Sequence, residues 1–352
     1  MALGKKISLG ASILRSKITG KAVPAIVNWA ITGRCNLRCK HCYGGYGAVQ
    51  NEELPLEIIK STVDELKKMG TRRITIEGGE PLVRIDIGEI IEYISAKKIE
   101  MSLCTNGVLL DRFINIVKQK VDLLVLSLEG SEKYHDSLRG EGNFKKVMHA
   151  IELARENNVR TLLFACLIDE NLVDIDFLVS LAKEYGVSVT FNIAVAKIKK
   201  EGGREELAKK PDDDYRKALK RILELKKKGA PVYYSENNFI QAINWPTFTK
   251  ERYYQAELDA LDKSQKRTMI PCFAGKNFCY IECTGDVYPC YQTVGILETE
   301  NVKKAGFKKA FDHLSKMAYC KRCYNVTLSE LNLQCGLDLK SVAKVIQNYG
   351  KK

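Results

Sequence analysis

The stretch Arg34–Gly47, RCNLRCKHCYGGYG, decides the reading of this chain. Cys35, Cys39 and Cys42 stand in it at a C-x3-C-x2-C spacing. A loop this short gathers three thiols around one compact centre. Structural zinc takes four tetrahedral ligands, and His41 is the one further donor nearby. A cubane [4Fe–4S] cluster has four irons, so three thiolates leave one iron open to an outside ligand. Three unpaired thiols, or zinc with His41, are the plainer alternatives.

The loop follows AIVNWAIT (25–32), the first of six strand-like runs. The others are RRITIEG (72–78), EMSLCTN (100–106), DLLVLSLEG (122–130), RTLLFACLI (160–168) and VSVTFNIAV (187–195). Amphipathic helical patterns lie between them, as at 56–69 and at 144–157, which stops on an Asn-Asn pair. Such βα alternation implies an α/β fold with a parallel sheet and right-handed crossovers. A barrel and a doubly wound sheet both satisfy the periodicity. In either, ligands gather at the carboxyl ends of the strands, where the cysteine loop lies.

These residues together resemble the radical S-adenosylmethionine (SAM) enzymes. The resemblance covers roughly residues 25–195 and implies a partial (β/α)6 TIM-like barrel. It implies a [4Fe–4S] cluster on Cys35, Cys39 and Cys42, with the open iron bound by the amino and carboxylate groups of SAM. Tyr43, after the last cysteine, would help pack the loop. Gly78, Gly79, Glu80 and Pro81 match the family's GGEP turn, which contacts the methionine ammonium. Asn106 lies in a TNG turn, and Ser127 in LSLEG, where the family commonly has SLDG; Glu129 is the departure. Arg139 in HDSLRGEG matches an arginine that pairs with the SAM carboxylate, a fit for a guanidinium fork. Asn192 ends the sixth strand within reach of SAM or substrate. Cys104 and Cys166, inside apolar strands, read as buried packing thiols.

A second group of cysteines follows in CFAGKNFCYIECTGDVYPC (272–290) and CKRC (320–323). Four thiolates from Cys272, Cys290, Cys320 and Cys323 would close a metal site, and zinc or [4Fe–4S] would use the same ligands. The spacing is similar to the twitch module, a short form of the SPASM domain, which implies one auxiliary [4Fe–4S] cluster in a small cysteine-rich α+β domain. Ser329 stands where a full SPASM domain continues with cysteine. Cys279, Cys283 and Cys335 are reserve ligands or small packing residues: Cys279 lies where some SPASM proteins place a ligand of their first auxiliary cluster, and Cys335 could serve as the late ligand of a second.

The chain has 352 residues, twelve of them Cys, with 56 Lys+Arg against 43 Asp+Glu, a net +13. Its 45% apolar content excludes a disordered or fibrous protein. No segment approaches ~18 uninterrupted apolar residues, so no transmembrane helix is expected. A reduced cytoplasmic compartment follows, where clustered cysteines bind metal rather than each other. The expected divisions are a basic leader (1–24), a radical SAM core (25–230), a linker (231–269) and an auxiliary cluster domain (270–352). Within the core, 212–228 reads as a surface helix with acids first and lysines last. The leader carries five bases and no acid, and Leu3, Ile7, Leu14 and Ile18 fall on one helical face, the pattern of a membrane-surface helix.

The resemblance implies reductive SAM cleavage, driven by flavodoxin or ferredoxin, to a 5′-deoxyadenosyl radical that takes hydrogen from a substrate carbon. The excess positive charge favours an anionic small molecule or cofactor precursor. A peptide maturase or sulfatase-maturase-like enzyme is the alternative. Tetrapyrrole or lipid modification at a membrane, an RNA-modifying enzyme and a non-catalytic metal-binding module are further ones.

Overall fold

The computed structural model describes residues 2–46, 53–199, 203–205, 211–317 and 319–337. Six strands fall where the sequence places them: β1 (Ile26–Thr32), β2 (Arg73–Gly78), β3 (Glu100–Thr105), β4 (Leu123–Ser127), β5 (Thr161–Leu167) and β6 (Ser188–Ile193). All six pair in parallel, each with its sequence neighbour. A doubly wound sheet reverses its strand order; this one never does, so the architecture is the partial (β/α)6 barrel.

The helices up to residue 227 are α1 (Ala2–Thr19), α2 (Leu56–Met69), α3 (Ile87–Ala96), α4 (Leu110–Lys120), α5 (Glu132–Arg139), α6 (Asn143–Glu156), α7 (Ile175–Glu184) and α8 (Asp212–Lys227). In α2, Ile59, Thr62, Val63 and Leu66 recur at helical spacing and bury one stripe. It ends at Gly70, in the left-handed region at φ 105°, where the Thr71 N–H returns to the Leu66 carbonyl at 2.9 Å. Strand alternation divides the layers: Ile74 and Ile76 of β2 are fully buried under the helices, while Arg73, Thr75 and Glu77 line the barrel interior.

The cysteine-rich C-terminal region shares this sheet. Strand Phe278–Ile281 lies parallel to β1 on the edge away from β2, and Val287–Tyr288 turns back antiparallel beside it, giving eight strands. Helix Val326–Gly336 starts at Asn325, whose side chain accepts the Leu328 N–H at 2.9 Å. Ser329 is buried there and accepts from Gln241 at 2.6 Å.

Helix α1 packs on the barrel through Leu9 and Ile13, with Ser12 donating to the Gly70 carbonyl at 2.7 Å. The face expected to be apolar is thus the outer one: Ile7, Leu14 and Ile18 are exposed. The Leu3 side chain lies outside the described residues. Among those residues, no helix is long and apolar enough to cross a membrane.

Candidate active site

The site begins with an irregularity in β1. Its register against β2 shifts between Ala30 and Thr32, which turns the chain out into the cysteine loop. Arg84, buried, donates to the freed Ile31 carbonyl at 2.8 Å and to the Leu54 carbonyl at 2.7 Å, and pairs with Asp86 at 2.6 Å. Arg34 at the loop's root pairs with Glu53 at 2.9 Å.

The GGEP turn packs against that root. A Cβ on Gly79 would lie 2.1 Å from the Arg34 carbonyl oxygen, and one on Gly78, at φ +134°, 2.4 Å from that of Thr32. Both glycines are required by backbone approach. Glu80 is buried and fully engaged: Oε1 accepts from Thr105 Oγ1 at 2.7 Å and the Leu82 N–H at 3.1 Å, and Oε2 from the Asn106 N–H at 2.8 Å. Pro81 opens the short helical turn that follows. Asn106 Nδ2 donates to Asn36 Oδ1 at 2.8 Å, tying the TNG turn to the cysteine loop.

On the other side stands a charged node. Glu129, fully buried, accepts from Arg139 Nε at 2.9 Å and Nη2 at 2.6 Å, from the Cys166 N–H at 2.7 Å, and sits 3.2 Å from His41 Nε2. Burial alone would raise its pKa, but Arg139 and His41 outweigh that and hold it well below the carboxylate range. Arg139 directs its remaining nitrogen, Nη1, at Cys39 Sγ, 3.7 Å away. His135 accepts the Glu129 N–H at 3.2 Å, and burial with the Arg139 charge lowers its pKa to about 4.

Cys35, Cys39 and Cys42 all line one cavity of about 320 Å³, with Tyr43, Gly78, Gly79, Asn106, Ser127, Arg139 and Asn192. Cys35 Sγ accepts the Leu37 N–H at 3.4 Å. Burial pushes the Cys35 thiol up to about 11, with Glu80 and the other two thiols adding to it. Among the described residues no three His, Cys, Asp or Glu side chains gather around a single ion. The donors present are three soft thiols on the wall of a cavity, with an N–H and a guanidinium aimed at two of them. That set fits a [4Fe–4S] cluster with one open corner.

Asn192 serves the joint between barrel and C-terminal region. Its Oδ1 accepts the Val326 N–H at 2.9 Å, and its Nδ2 lies 3.5 Å from the Tyr291 hydroxyl. Cys272, Cys290, Cys320 and Cys323 come together in this region. Burial raises Cys272 to about 11, with the Cys290 charge the next contribution. Burial raises Cys320 and Cys323 as well; Cys320 feels Cys290 and Cys272, and Cys323 feels Cys272, Cys320 and Cys290. Of the reserve cysteines, Cys335 is beside Cys272 and is pushed up to about 12. Cys279 is shifted by burial alone, on the strand paired with Val27, and Cys283 follows Glu282 near Tyr46.

Sequence reasoning missed the inward residues of the strands. Cys104 and Cys166 are partly exposed to the cavity rather than packed in the core, because they occupy inward positions of β3 and β5. Glu77 lines the same cavity, and its Oε1 is buried without a hydrogen-bond partner. Burial, then the Glu282 charge, raises its pKa to about 8. At the far end Arg73 pairs with Glu100 at 3.1 Å. The period-two count on β2 and β3 was the available signal.

Residues 29–182 match the Radical SAM superfamily. The AdoMet-dependent heme synthase of Methanosarcina barkeri is 28% identical over 277 residues, 76% of this chain and 76% of that protein. The mycofactocin maturase MftC of Mycobacterium tuberculosis is 25% identical over 280 residues, 77% of this chain and 65% of that protein. Streptococcus suis SuiB, in its crystal structure bound to S-adenosylmethionine, has the same fold, with a TM-score of 0.65 at 17% identity over 85% of this chain and 67% of that one. Residues 29–182 are thus similar to the Radical SAM superfamily, and most of the chain, cysteine-rich C-terminal region included, shares the fold of SuiB.

Proposed function

We propose that the protein is a radical SAM enzyme that acts on a substrate held in the barrel cavity, with residues 25–230 as its core and 270–352 as its auxiliary module. The observation that carries this is the convergence of Cys35, Cys39 and Cys42 on that cavity beside Glu80. With their groups bound, the first cysteine set and SAM supply a 5′-deoxyadenosyl radical for hydrogen abstraction, and the second set supplies an auxiliary [4Fe–4S] electron acceptor.

The chain's own residues hold and orient. Glu80, anchored on both oxygens, offers fixed negative charge to the SAM ammonium, and Ser127 lines the wall toward its ribose or carboxylate. Arg139, locked on Glu129, holds Cys39 in place and presents its positive charge beside it. The Gly78–Gly79 turn keeps the loop seated. Flavodoxin or ferredoxin remains the proposed electron source.

The cavity's charges bear on the substrate. Arg73 and Arg139 are both paired with glutamates, whereas Glu77 Oε1 is unpaired. A carboxyl facing inward and held protonated at neutral pH exchanges hydrogen bonds with groups such as amides and offers no positive charge to a polyanion. This supports the peptide reading ahead of the anionic metabolite that net charge alone favoured. SuiB has also been solved bound to its precursor peptide SuiA, and MftC is a maturase. The tetrapyrrole reading stands second, because the heme synthase matches over three-quarters of both chains.

The test is anaerobic reconstitution followed by dithionite-driven turnover, with candidate peptides and an iron porphyrin as rival substrates. We expect about eight irons, 5′-deoxyadenosine formation, and stimulation by peptide. Retention of 5′-deoxyadenosine formation after Cys35, Cys39 and Cys42 are all changed to Ala would refute the assignment.

A further inference from the structure

We propose that α1 is a docking element that seats the protein on an anionic membrane surface. The helix has two unlike sides. Leu9 and Ile13, 5% and 2% exposed, hold it on the barrel, and Lys5 pairs with Asp122 at 2.8 Å. On the opposite side Ile7, Leu14 and Ile18 are 65%, 47% and 76% exposed. Positions 7, 14 and 18 fall on one stripe of a helix. Among the described residues, the other large exposed apolar side chains, Ile85, Val173, Tyr254 and Ile296, each come from a separate connecting segment. An ordered apolar stripe on one helix marks an interaction surface, whereas scattered exposed residues do not.

Charge identifies the occupant. Residues 1–24 hold five bases and no acid, and Arg15 and Lys21 are exposed on or beside the helix. The helix borders the amino-terminal ends of the strands, since Ser12 bonds to the Gly70 carbonyl at the end of α2. The barrel helices finish at this end, and helix carboxyl termini favour bases. Lys68, Lys98 and Lys118 are exposed there. Two acids at the same end are occupied, Asp122 by Lys5 at 2.8 Å and Asp64 by Lys97 at 2.5 Å, while Glu156 and Glu184 are exposed at the ends of α6 and α7. An apolar stripe on a basic face is complementary to a bilayer with anionic headgroups, which takes the stripe into its interface and the bases at its surface. A protein partner or a second copy of this chain would satisfy the stripe but leaves the basic face unexplained.

Docking in this way would bring the bilayer to the end of the barrel that carries the cavity floor, where Arg73 donates to Gln334 at 3.1 Å. The inference does not rest on the radical SAM reading, and its test needs no turnover.

The experiment is co-sedimentation of the full-length, cluster-reconstituted chain with extruded vesicles. One set is phosphatidylcholine alone, and the other contains about 30% phosphatidylglycerol at about 0.1 M salt. We expect binding to the anionic set at least about tenfold tighter than to the neutral one, weakening as salt rises. Changing Ile7, Leu14 and Ile18 together to Ser should abolish binding with the circular-dichroism spectrum unchanged, because these side chains are exposed. The pair Arg15→Glu and Lys21→Glu should weaken it by about tenfold or more. No binding to anionic vesicles at low salt would overturn the proposal. Undiminished binding of the triple Ser variant would also overturn it, by assigning the effect to net charge alone. Light scattering that shows a dimer dissolved by the triple Ser variant, without vesicle binding, would give the face to a second copy instead.

Discussion

The ring of Tyr43 lies 4.9 Å from the ring of Tyr291, centroid to centroid, at a tilt of 45°. Each tyrosine follows a cysteine, Cys42 in the first set and Cys290 in the second. The two cysteine sets therefore meet through a packed aromatic pair. Its surroundings are hydroxyl-rich: Tyr280 lies 3.3 Å from the Tyr43 hydroxyl and 2.9 Å from that of Tyr46, and Asn325 bonds to the hydroxyl of Tyr291. Removing that last hydroxyl with Tyr291→Phe should leave the ring contact and cost about 1 kcal/mol. Tyr291→Ala should cost about 3–5 kcal/mol, by analogy with large-to-small core changes. Denaturant unfolding of the two variants separates the two contributions.

The Glu129 node should behave as a unit. Glu129→Gln leaves the Arg139 guanidinium buried without its counter-charge and should destabilise the fold by about 3–5 kcal/mol. The pH dependence has a definite sign. The folded-state pKa is depressed, so the contribution is present above the unfolded carboxylate value of about 4.3 and is lost as pH falls toward the folded value. Acid unfolding of the wild type should therefore be steeper than that of Glu129→Gln.

Glu77 should show the opposite sign. Its pKa rises to about 8 in the folded protein, so its proton is held more tightly there than in the unfolded chain. Stability should decline as pH rises from about 4.3 to about 8, and Glu77→Gln should flatten that decline. The same variant should impair use of a hydrogen-bond-donating substrate while leaving SAM cleavage without substrate intact. Thermal melts across pH and 5′-deoxyadenosine assays measure the two effects independently.

Gly79→Ala should fail for a different reason. The added carbon would meet the Arg34 carbonyl oxygen at 2.1 Å, a backbone atom that yields only if the cysteine loop shifts. The expected result is loss of about four irons from the reconstituted protein, with the second cysteine set still loaded. Cys272→Ala should do the reverse: it should remove the auxiliary iron and leave SAM cleavage uncoupled from substrate conversion.

The barrel was legible because its signals are local. Alternating apolar runs and turn chemistry place β1 to β6 to within a residue or a few, and the loop spacing marks Cys35, Cys39 and Cys42. What escaped depends on contacts between distant segments. The strand Phe278–Ile281 carries nothing that names β1 as its neighbour. Arg139 reads as a free guanidinium until Glu129, ten residues earlier, folds back onto it. The outward turn of Ile7, Leu14 and Ile18 is equally hidden, since an apolar stripe does not say which side the barrel takes. Leu9 and Ile13, with the small hydroxyls of Ser12 and Ser16, allow the closer approach.

The late strand beside β1 has a bearing on how the molecule is made. During synthesis β1 emerges early and can pair with β2 almost at once, but its other edge waits for residues 278–281. Until then a run of unsatisfied amide and carbonyl groups borders the cysteine loop, open to pairing with a neighbouring chain. Versions cut short before residue 278 should thus aggregate rather than yield a free-standing barrel.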